Sequence, residues 1–331
     1  MTRTVLAASP RTILRPASIR LTKAALAGLF ICGACTLLAR LHWALELFSH
    51  FVPLYFACAL GAFALLTALR ERRGAVLALA LSIYFGIPLL PYLPLKRSTG
   101  DEVTIRVMLA NVYTPNRDFA AFRSEVYRHN PDILCLQETD AAWQRVLQGM
   151  RTTYPHQVVI PRPDNFGVAL LSRWPITEAK QIELGRSTVP ALEATVETPY
   201  GSLQILNIHT IPPVVGHYAA SRNRQLVDAA AIAAAADGPF AIIGELNVTP
   251  WSPHFRDLLR NSGLKDARRA RGILPTWPVG RPIPTLLPID HVLVSPDIEV
   301  TGMVRGGPFN SDHLPLIADL RLSETNDQAP R

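Results

Sequence analysis

The stretch "IIGELNVTPWS" (residues 242–252) passes from an apolar strand into a polar loop, and it decides how most of this chain is interpreted. Two β-branched residues precede Gly244, after which Glu245, Asn247 and Thr249 present oxygen-bearing side chains. Loops at strand ends are where rigid scaffolds commonly carry binding and catalytic groups. An acid and an amide two residues apart in such a loop therefore predict a functional site.

Short apolar runs with strand character lie on both sides of this loop. They cover residues 103–112, 132–138, 167–173, 192–198, 203–210, 240–247, 290–295 and 314–322. Helical spacing predicts a helix over 119–130, capped by Asp118, and a longer helix over 217–236. Because several strands follow one another without a helix, a plain doubly wound parallel sheet is excluded, and an α/β fold of packed sheets with helices outside is favoured. This domain is predicted over 98–322, and 323–331 are predicted to be a disordered tail.

Residues 1–97 contain three apolar stretches, at 24–39, 51–69 and 75–93, and predict an N-terminal all-α membrane region. The second and third approach the roughly 20 residues that a helix needs to cross a bilayer. The first is shorter, and a cleaved signal peptide is the alternative interpretation for it. Because two further spans follow, we favour three transmembrane helices that anchor the chain in a lipid bilayer.

Charge is spread as unevenly as hydrophobicity. The net charge is +7, but residues 1–100 hold 11 Lys or Arg against 2 acids, and residues 101–331 hold 22 basic against 24 acidic residues. Basic residues precede the first apolar stretch and fill the loop at Arg70, Arg72 and Arg73, which predicts that these sides face the cytoplasm. The chain is then a multi-pass membrane protein whose polar domain lies on the extracytoplasmic side. A domain of net charge −2 is poorly suited to duplex DNA.

Polar residues with catalytic or metal-binding chemistry end several predicted strands. They are Asn111, Glu138, His209, Glu245 with Asn247, and Asp312 with His313, while Asp290 begins a strand. Taken singly, Glu138 would be a solvated strand end and His209 a hydrogen-bonded structural histidine. Their common position at strand ends instead predicts one site. No Cys lies among them, which argues against a structural zinc site.

Six short motifs containing these residues resemble, in order, those of the endonuclease/exonuclease/phosphatase superfamily. They are "LANV" (109–112), "LQET" (136–139), "LNIHT" (206–210), "GELN" (244–247), "PIDHVLVS" (288–295) and "NSDHLPL" (310–316). The resemblance covers residues 103 to about 322 and implies a four-layered α/β sandwich, in which two mixed sheets pack face to face with helices outside. A bacterial subgroup of this superfamily is similar in joining membrane spans to such a domain, which implies the bacterial inner membrane as the location.

The resemblance also implies a role for each residue. The family cleaves phosphoester bonds with a divalent metal and a directly attacking water, and hard oxygen ligands suit Mg²⁺ or Mn²⁺. Metal ligands would be Glu138, supported by Asn111, and Asp312. His313 would be the general base, oriented by Asp290, although the two aspartates could exchange these roles. His209 and Asn247 would stabilise charge on the phosphate.

Glu245 departs from the family pattern. The family stretch usually reads Gly-Asp-x-Asn, with the Asp placing the attacking water, whereas this chain has Gly244-Glu245-Leu246-Asn247. The charge is kept, but the extra methylene moves the carboxylate outward. A displacement of about 1 Å at a reacting centre can cost on the order of 10²-fold in rate.

Basic residues outside the motifs have two interpretations. Arg222 and Arg224 lie in the predicted long helix, and Arg268, Arg269 and Arg271 follow the "GLKDA" stretch. We favour a solvated basic face, and the alternative is that these arginines bind an anionic substrate. Trp277 either packs a loop or forms a pocket wall.

The sequence therefore predicts a membrane-anchored, metal-dependent phosphoesterase. Its expected partner is a phosphoester substrate, with lipid headgroups favoured because the anchor would hold the site near a bilayer. A nuclease acting on DNA is the alternative within the same reaction class. A catalytically degenerate domain that binds a phosphate ligand or a partner is a further alternative, which Glu245 alone supports. The pattern leaves the oligomeric state open.

Overall fold

The computed structural model describes residues 10–96, 105–282 and 285–323, with side chains from residue 17 onward. The predicted tail therefore lies outside the described residues except for Ser323. Internal contacts divide the chain into two units, Met1–Leu90 and Pro91–Arg331.

The first unit is helical. Its helices are α1 (Pro10–Leu37), α2 (Trp43–Glu46), α3 (Val52–Ala68) and α4 (Arg72–Gly86), with a 3₁₀ turn at Leu47–Phe51. A second 3₁₀ turn, Ile87–Tyr92, begins in the first unit and ends in the second. Three helical stretches are long and apolar enough to cross a membrane: Ala17–Leu37, Trp43–Ala68 and Arg72–Tyr92. The first begins at Ala17 and not at residue 24 as predicted, so it has 21 residues and is not short.

The second unit contains two six-stranded sheets. The first sheet has the order β11 (Ile298–Arg305), β12 (Leu316–Leu322), β1 (Ile105–Asn111), β2 (Ile133–Gln137), β4 (Val168–Ser172), β3 (His156–Ile160). The second has the order β5 (Ile176–Glu183), β6 (Pro190–Thr198), β7 (Gly201–His209), β8 (Phe240–Glu245), β10 (Asp290–Val294), β9 (Lys265–Asp266). The pairs β1–β2 and β7–β8 are parallel and the remaining pairs are antiparallel, so both sheets are mixed.

Helices cover the outer faces of the two sheets. They are α5 (Phe119–His129), α6 (Ala141–Gln148), α7 (Gly216–Ala235) and α8 (Pro253–Ser262). The predicted four-layered α/β sandwich, following an N-terminal helical region, is confirmed. Asp118 caps α5 as predicted, because its side chain accepts a hydrogen bond of 3.0 Å from the Ala121 amide.

Alternation along the central strands builds three hydrophobic layers. Val107 and Leu109 of β1 point into the layer between the sheets, whereas Met108 points toward α5 and α6. On β8, Ile243 joins the layer between the sheets and Ile242 packs in the layer with α7 and α8. Because both faces of these strands are covered, they read as continuous apolar runs in the sequence.

Strand pairing brings the polar strand ends to one edge of the sandwich. In the second sheet, His209 is paired with Glu245 across the parallel β7–β8 ladder, and Asp290 is paired with Glu245 across the antiparallel β8–β10 ladder. In the first sheet, Asn111 is paired with Gln137, so Glu138 follows directly at the same edge. The candidate site is therefore built mainly from backbone register.

Candidate active site

Glu245 lies at the centre of the candidate site. Its Oε2 atom accepts a hydrogen bond of 2.6 Å from Asn111 Nδ2, and it lies 3.3 Å from His209 Nε2 and 3.6 Å from His313 Nε2. Only 4% of the residue is exposed. Burial raises the pKa of Glu245, and the neighbouring histidines oppose that rise. The Glu245 carboxylate thus lies between the two histidines.

Glu138 and Asn111 form the second carboxylate–amide pair of the site. Asn111 Nδ2 also donates to Glu138 Oε1 at 2.9 Å, and the Thr114 amide donates to Glu138 Oε2 at 3.0 Å. The amide orientation of Asn111 is set by its Oδ1 atom, which accepts from the Tyr113 amide at 2.8 Å. Glu138 has φ of 62°, in the left-handed region that a non-glycine residue adopts only under constraint.

His313 and Asp290 form a buried pair. His313 Nδ1 donates to Asp290 Oδ2 at 2.8 Å, which leaves Nε2 directed toward Glu245. Burial alone would lower the pKa of His313, but the carboxylates of Asp290 and Glu245 outweigh burial and raise this pKa to about 10. An imidazole oriented in this way presents Nε2 as the atom that exchanges a proton.

Asp312 and Trp277 meet at the rim of the same edge. Trp277 Nε1 donates to Asp312 Oδ2 at 3.1 Å, and the indole ring lies 6.3 Å from the His313 ring, centroid to centroid. Burial raises the pKa of Asp312, and the nearby His313 opposes this. Trp277 therefore contacts a predicted site residue directly.

His209 and Asn247 flank Glu245 on the second sheet. Within the described part of the chain, no group forms a hydrogen bond with the buried Nδ1 atom of His209, and the Phe166 ring lies 5.1 Å from its ring. Asn247 Nδ2 donates to the Thr210 carbonyl at 2.8 Å. Asn247 has φ of 48°, so a second site residue holds a left-handed backbone.

The residues present fit a divalent cation. Two groups, Glu138–His209–Glu245 and Glu245–Asp290–His313, each place three ligand atoms within 4.8 Å of one another. Both groups contain Glu245. Buried carboxylate oxygens without a hydrogen bond partner among the described residues include Asp290 Oδ1 and Asp312 Oδ1. Hard oxygen donors with spare lone pairs suit Mg²⁺ or Mn²⁺, and the imidazoles also allow other metals.

Arg268 and His291 form buried hydrogen bonds to the backbone next to site residues, a role that the sequence did not predict. Arg268 is fully buried, donates to the Asp290 carbonyl oxygen, and lies with Nη1 2.9 Å from His291 Nδ1. His291 Nε2 lies 2.8 Å from the Val248 carbonyl oxygen. Since guanidinium donates and carbonyl oxygen accepts, His291 is the neutral tautomer with its proton on Nε2. Burial and Arg268 lower the pKa of His291 accordingly.

The interpretation of the arginines as a solvated basic face is wrong for Arg222 and Arg268, which are both fully buried. Arg222 Nη1 donates to the Asn247 carbonyl oxygen at 2.6 Å. These side chains satisfy backbone carbonyls of site residues, as buried cations require hydrogen bond partners. The positions of these arginines in a predicted helix and a predicted loop could not show whether their side chains are buried or exposed.

Gly244 allows β7 and β8 to approach closely beside the site. A Cβ atom at this position would lie 1.9 Å from the Ile208 carbonyl oxygen, a distance that no real contact reaches. The glycine before Glu245 is therefore required by packing between the two parallel strands.

Comparison with known proteins supports the architecture. The model of the Endonuclease/Exonuclease/phosphatase family matches residues 108–313. A search of curated proteins found no match to this chain. Solved structures share its fold. A protein of this family from Bacteroides vulgatus has a TM-score of 0.56 and 18% identity, covering 67% of this chain and 100% of its own. A protein of this family from Beutenbergia cavernae has a TM-score of 0.55 and 19% identity, and the match covers 67% of this chain and 72% of that protein. The human Nocturnin catalytic domain has a TM-score of 0.53 and 22% identity, and the match covers 66% of this chain and 95% of that domain.

Proposed function

The chain belongs to the endonuclease/exonuclease/phosphatase family, and we propose that it is a membrane-anchored, metal-dependent phosphoesterase. Members of this family are hydrolases that act on phosphoester bonds, and they generally use divalent metals. The main support for this proposal is the position of the Glu245 carboxylate, which belongs to both candidate metal-binding groups. Its Oε2 atom lies within 3.6 Å of both His209 and His313. Two acidic clusters that meet at one oxygen provide metal ligands and proton-transfer groups in a single site.

Backbone strain supports an active rather than a degenerate site. Glu138 and Asn247 both hold positive φ values, which a fold maintains only where the surroundings enforce them. The Glu138 carboxylate accepts a hydrogen bond from Asn111 within the cluster, and the Asn247 side chain donates to the Thr210 carbonyl beside it.

The side chains of the chain divide the reaction between them. Asp290 holds His313 at Nδ1, so that Nε2 accepts the proton of a water that attacks phosphorus. His209 Nε2 lies on the other side of Glu245, where it donates to a phosphate oxygen as negative charge develops. Burial of both imidazoles excludes bulk water and strengthens these interactions.

A divalent cation held by Glu138 and Glu245 would supply positive charge that polarises a phosphoryl oxygen and offsets the carboxylates that otherwise keep His313 protonated. Asn111 would support both carboxylates through the hydrogen bonds that its Nδ2 atom donates, and not as a ligand, since its oxygen accepts from the Tyr113 amide. Asp312 precedes His313, and its buried Oδ1 atom accepts no hydrogen bond from any described residue, so it is a further ligand candidate.

We propose lipid headgroup phosphoesters as the substrate class. Three apolar helices precede the domain in the same chain, and anchoring by these helices would raise the local concentration of lipid substrate. The domain itself has no excess of positive charge, since residues 101–331 hold 22 basic and 24 acidic groups. Duplex DNA binding depends on such an excess.

The test uses the full chain purified in detergent micelles, with Mg²⁺ or Mn²⁺ and the soluble diester bis-p-nitrophenyl phosphate. We expect metal-dependent turnover that His313→Ala abolishes and that the exposed-site control His217→Ala leaves unchanged. A phospholipid panel and plasmid DNA then separate the substrate classes. Absence of turnover with every metal and substrate would favour the degenerate binding domain, and preferential cleavage of plasmid would favour a nuclease.

A further inference from the structure

A basic groove of about 410 Å³ lies in the second unit, between the segment that enters this unit and the loop after β9. Four cationic side chains line it: Lys96, Lys265, Arg269 and Arg271. The groove shares no lining residue with the candidate active site, so the proposed catalytic chemistry does not account for it.

Backbone hydrogen bonds fix the two walls of this groove. The Ala270 amide donates to the Pro91 carbonyl at 2.7 Å, and the Lys96 amide donates to the Ala270 carbonyl at 2.8 Å. One loop residue is thus bonded to both ends of the segment. Lys96 is therefore held beside the loop that carries Arg269 and Arg271, rather than placed there by a mobile linker.

Most of the cationic charge in the groove is available to a ligand. Lys96, Lys265 and Arg269 are exposed, and no ion pair joins them to a carboxylate within the described residues. Arg271 is half-buried and donates to the carbonyl oxygens of Val300 and Arg269, and Glu299 is the acid that acts on its charge.

The two acids of the groove lining have other cations beside them. Asp266 is buried next to Arg268, with 3.7 Å between Oδ1 and the guanidinium, and also accepts from the Arg268 amide at 3.0 Å. Glu299 forms an ion pair with Arg321 and acts more weakly on Lys96 and Arg271, so two acids face four groove cations and the two further cations Arg268 and Arg321. The groove therefore has an excess of positive charge suited to a phosphate group.

Chain connectivity indicates which phosphate the groove takes. Lys96 follows Tyr92, the last residue of the third candidate span, by four residues, and four residues extend at most about 14 Å. Leu93 and Leu95 between them are 46% and 78% exposed. We propose that the groove binds the headgroup phosphate of an anionic phospholipid, an inference that rests on the membrane anchoring in the proposed function.

The full chain in detergent, analysed by native mass spectrometry, tests this inference. Short-chain phosphatidylglycerol, short-chain phosphatidylcholine and inorganic phosphate are the three probes. Lys265→Glu combined with Arg269→Glu reverses two groove charges. As a control, Arg123→Glu combined with Arg151→Glu makes the same change in net charge away from the groove. Arg123 is exposed on α5, and Arg151 is exposed just after α6. We expect phosphatidylglycerol to bind the groove variant roughly tenfold or more weakly than the wild type, and the control variant to bind like the wild type.

Equal binding of phosphatidylglycerol to both double variants would overturn the proposal. So would wild-type binding of phosphatidylcholine as tight as that of phosphatidylglycerol, or displacement of phosphatidylglycerol by equimolar inorganic phosphate. Hydrolysis of the soluble diester is measured on the same samples. If the groove variant still hydrolyses the diester but no longer binds the lipid, the groove is distinct from the proposed phosphoesterase site. If the wild type is inactive but still binds phosphatidylglycerol, the groove proposal stands and the proposed phosphoesterase activity fails.

Discussion

Arg268 donates a hydrogen bond to the backbone carbonyl of Asp290, the residue whose carboxylate orients His313. The guanidinium is fully buried, and it also donates to His291, which is bonded in turn to the Val248 carbonyl. One cation thus joins the start of β10 to the loop that follows Glu245. The arrangement makes Arg268 a positioning residue, since it reaches the reacting groups only through Asp290.

Replacing Arg268 by Lys should lower kcat with little change in KM. Lysine keeps the buried charge opposite Asp266, but one ammonium cannot reproduce the planar fork that serves two acceptors. A small shift of Asp290 would then misplace His313, and misplacement of about 1 Å can cost on the order of 10²-fold. Steady-state kinetics on the soluble diester measure the effect.

Arg269→Lys is the matched control, since the neighbouring side chain is exposed. Thermal unfolding of both variants checks that the fold is retained. A wild-type kcat in Arg268→Lys, or a rise in KM alone, would contradict the positioning role.

Stability should fall as pH drops below about 6.5, in part because of His291. Burial and Arg268 hold the pKa of His291 well below 6.5 in the folded state, whereas the unfolded chain binds the proton near that pH. The unfolded state therefore binds more protons at lower pH. The contribution of His291 is fully present above pH 6.5 and is lost as pH falls toward the folded pKa.

His291→Gln isolates this contribution because glutamine does not titrate. Melting temperatures of the two proteins, followed from neutral pH to about pH 5, should fall less in the variant. A parallel decline in both proteins would show that other groups cause the acid sensitivity.

Glu245→Asp should reduce activity and not restore it. Glu245 Oε2 already contacts Asn111, His209 and His313, and a shorter side chain would withdraw the carboxylate from the point where both clusters meet. The expected loss of kcat is on the order of 10²-fold for a displacement of about 1 Å. Mn²⁺ binding, measured by electron paramagnetic resonance, should weaken as well.

Glu178→Asp, at an exposed position of β5, serves as the control for the same chemical change. Activity in Glu245→Asp above that of the wild type would mean that the longer side chain impairs this site.

Gly244→Ala should prevent normal folding of the second unit. The added methyl would collide with the Ile208 carbonyl at 1.9 Å, and backbone cannot rotate away as a side chain can. Overpacking in cores costs about 1–3 kcal/mol, and a backbone clash lies at or above the upper end. Gly61→Ala meets nothing within 4 Å and lies inside α3, where alanine is the better helix former, so it should not lower the melting temperature. Equal melting temperatures would contradict the close approach.

Strands buried on both faces were predictable from the sequence. The strands β1, β2, β4, β7 and β8 appear as short apolar runs, and polar residues at their ends marked the edge where the site lies. The ordered motifs then supplied what periodicity could not, since the resemblance implied two mixed sheets packed face to face. Six of the predicted site residues, excluding Asn247 and Asp312, meet around Glu245 or Asp290.

Edge strands and buried supports were not predictable in the same way. The strand β5, "ITEAKQIE", is exposed along most of its length, so it lacks the apolar pattern on which strand prediction depends. Arg268 and His291 lie 23 positions apart in the sequence, and their contact exists only after β9 pairs with β10. The length of α1 was underestimated because polar residues at its start interrupt the apolar run.

The pairing of β1 with β12 determines when the second unit can fold during synthesis. β1 is the first strand of its sheet, yet one of its two neighbours is β12, which ends at Leu322. While a ribosome is still producing the intervening chain, β1 has an open edge, and His313 has not yet been added. Open strand edges promote association between chains. The nascent chain therefore exposes this edge for most of its translation, and the site is assembled only once β12 has left the ribosome.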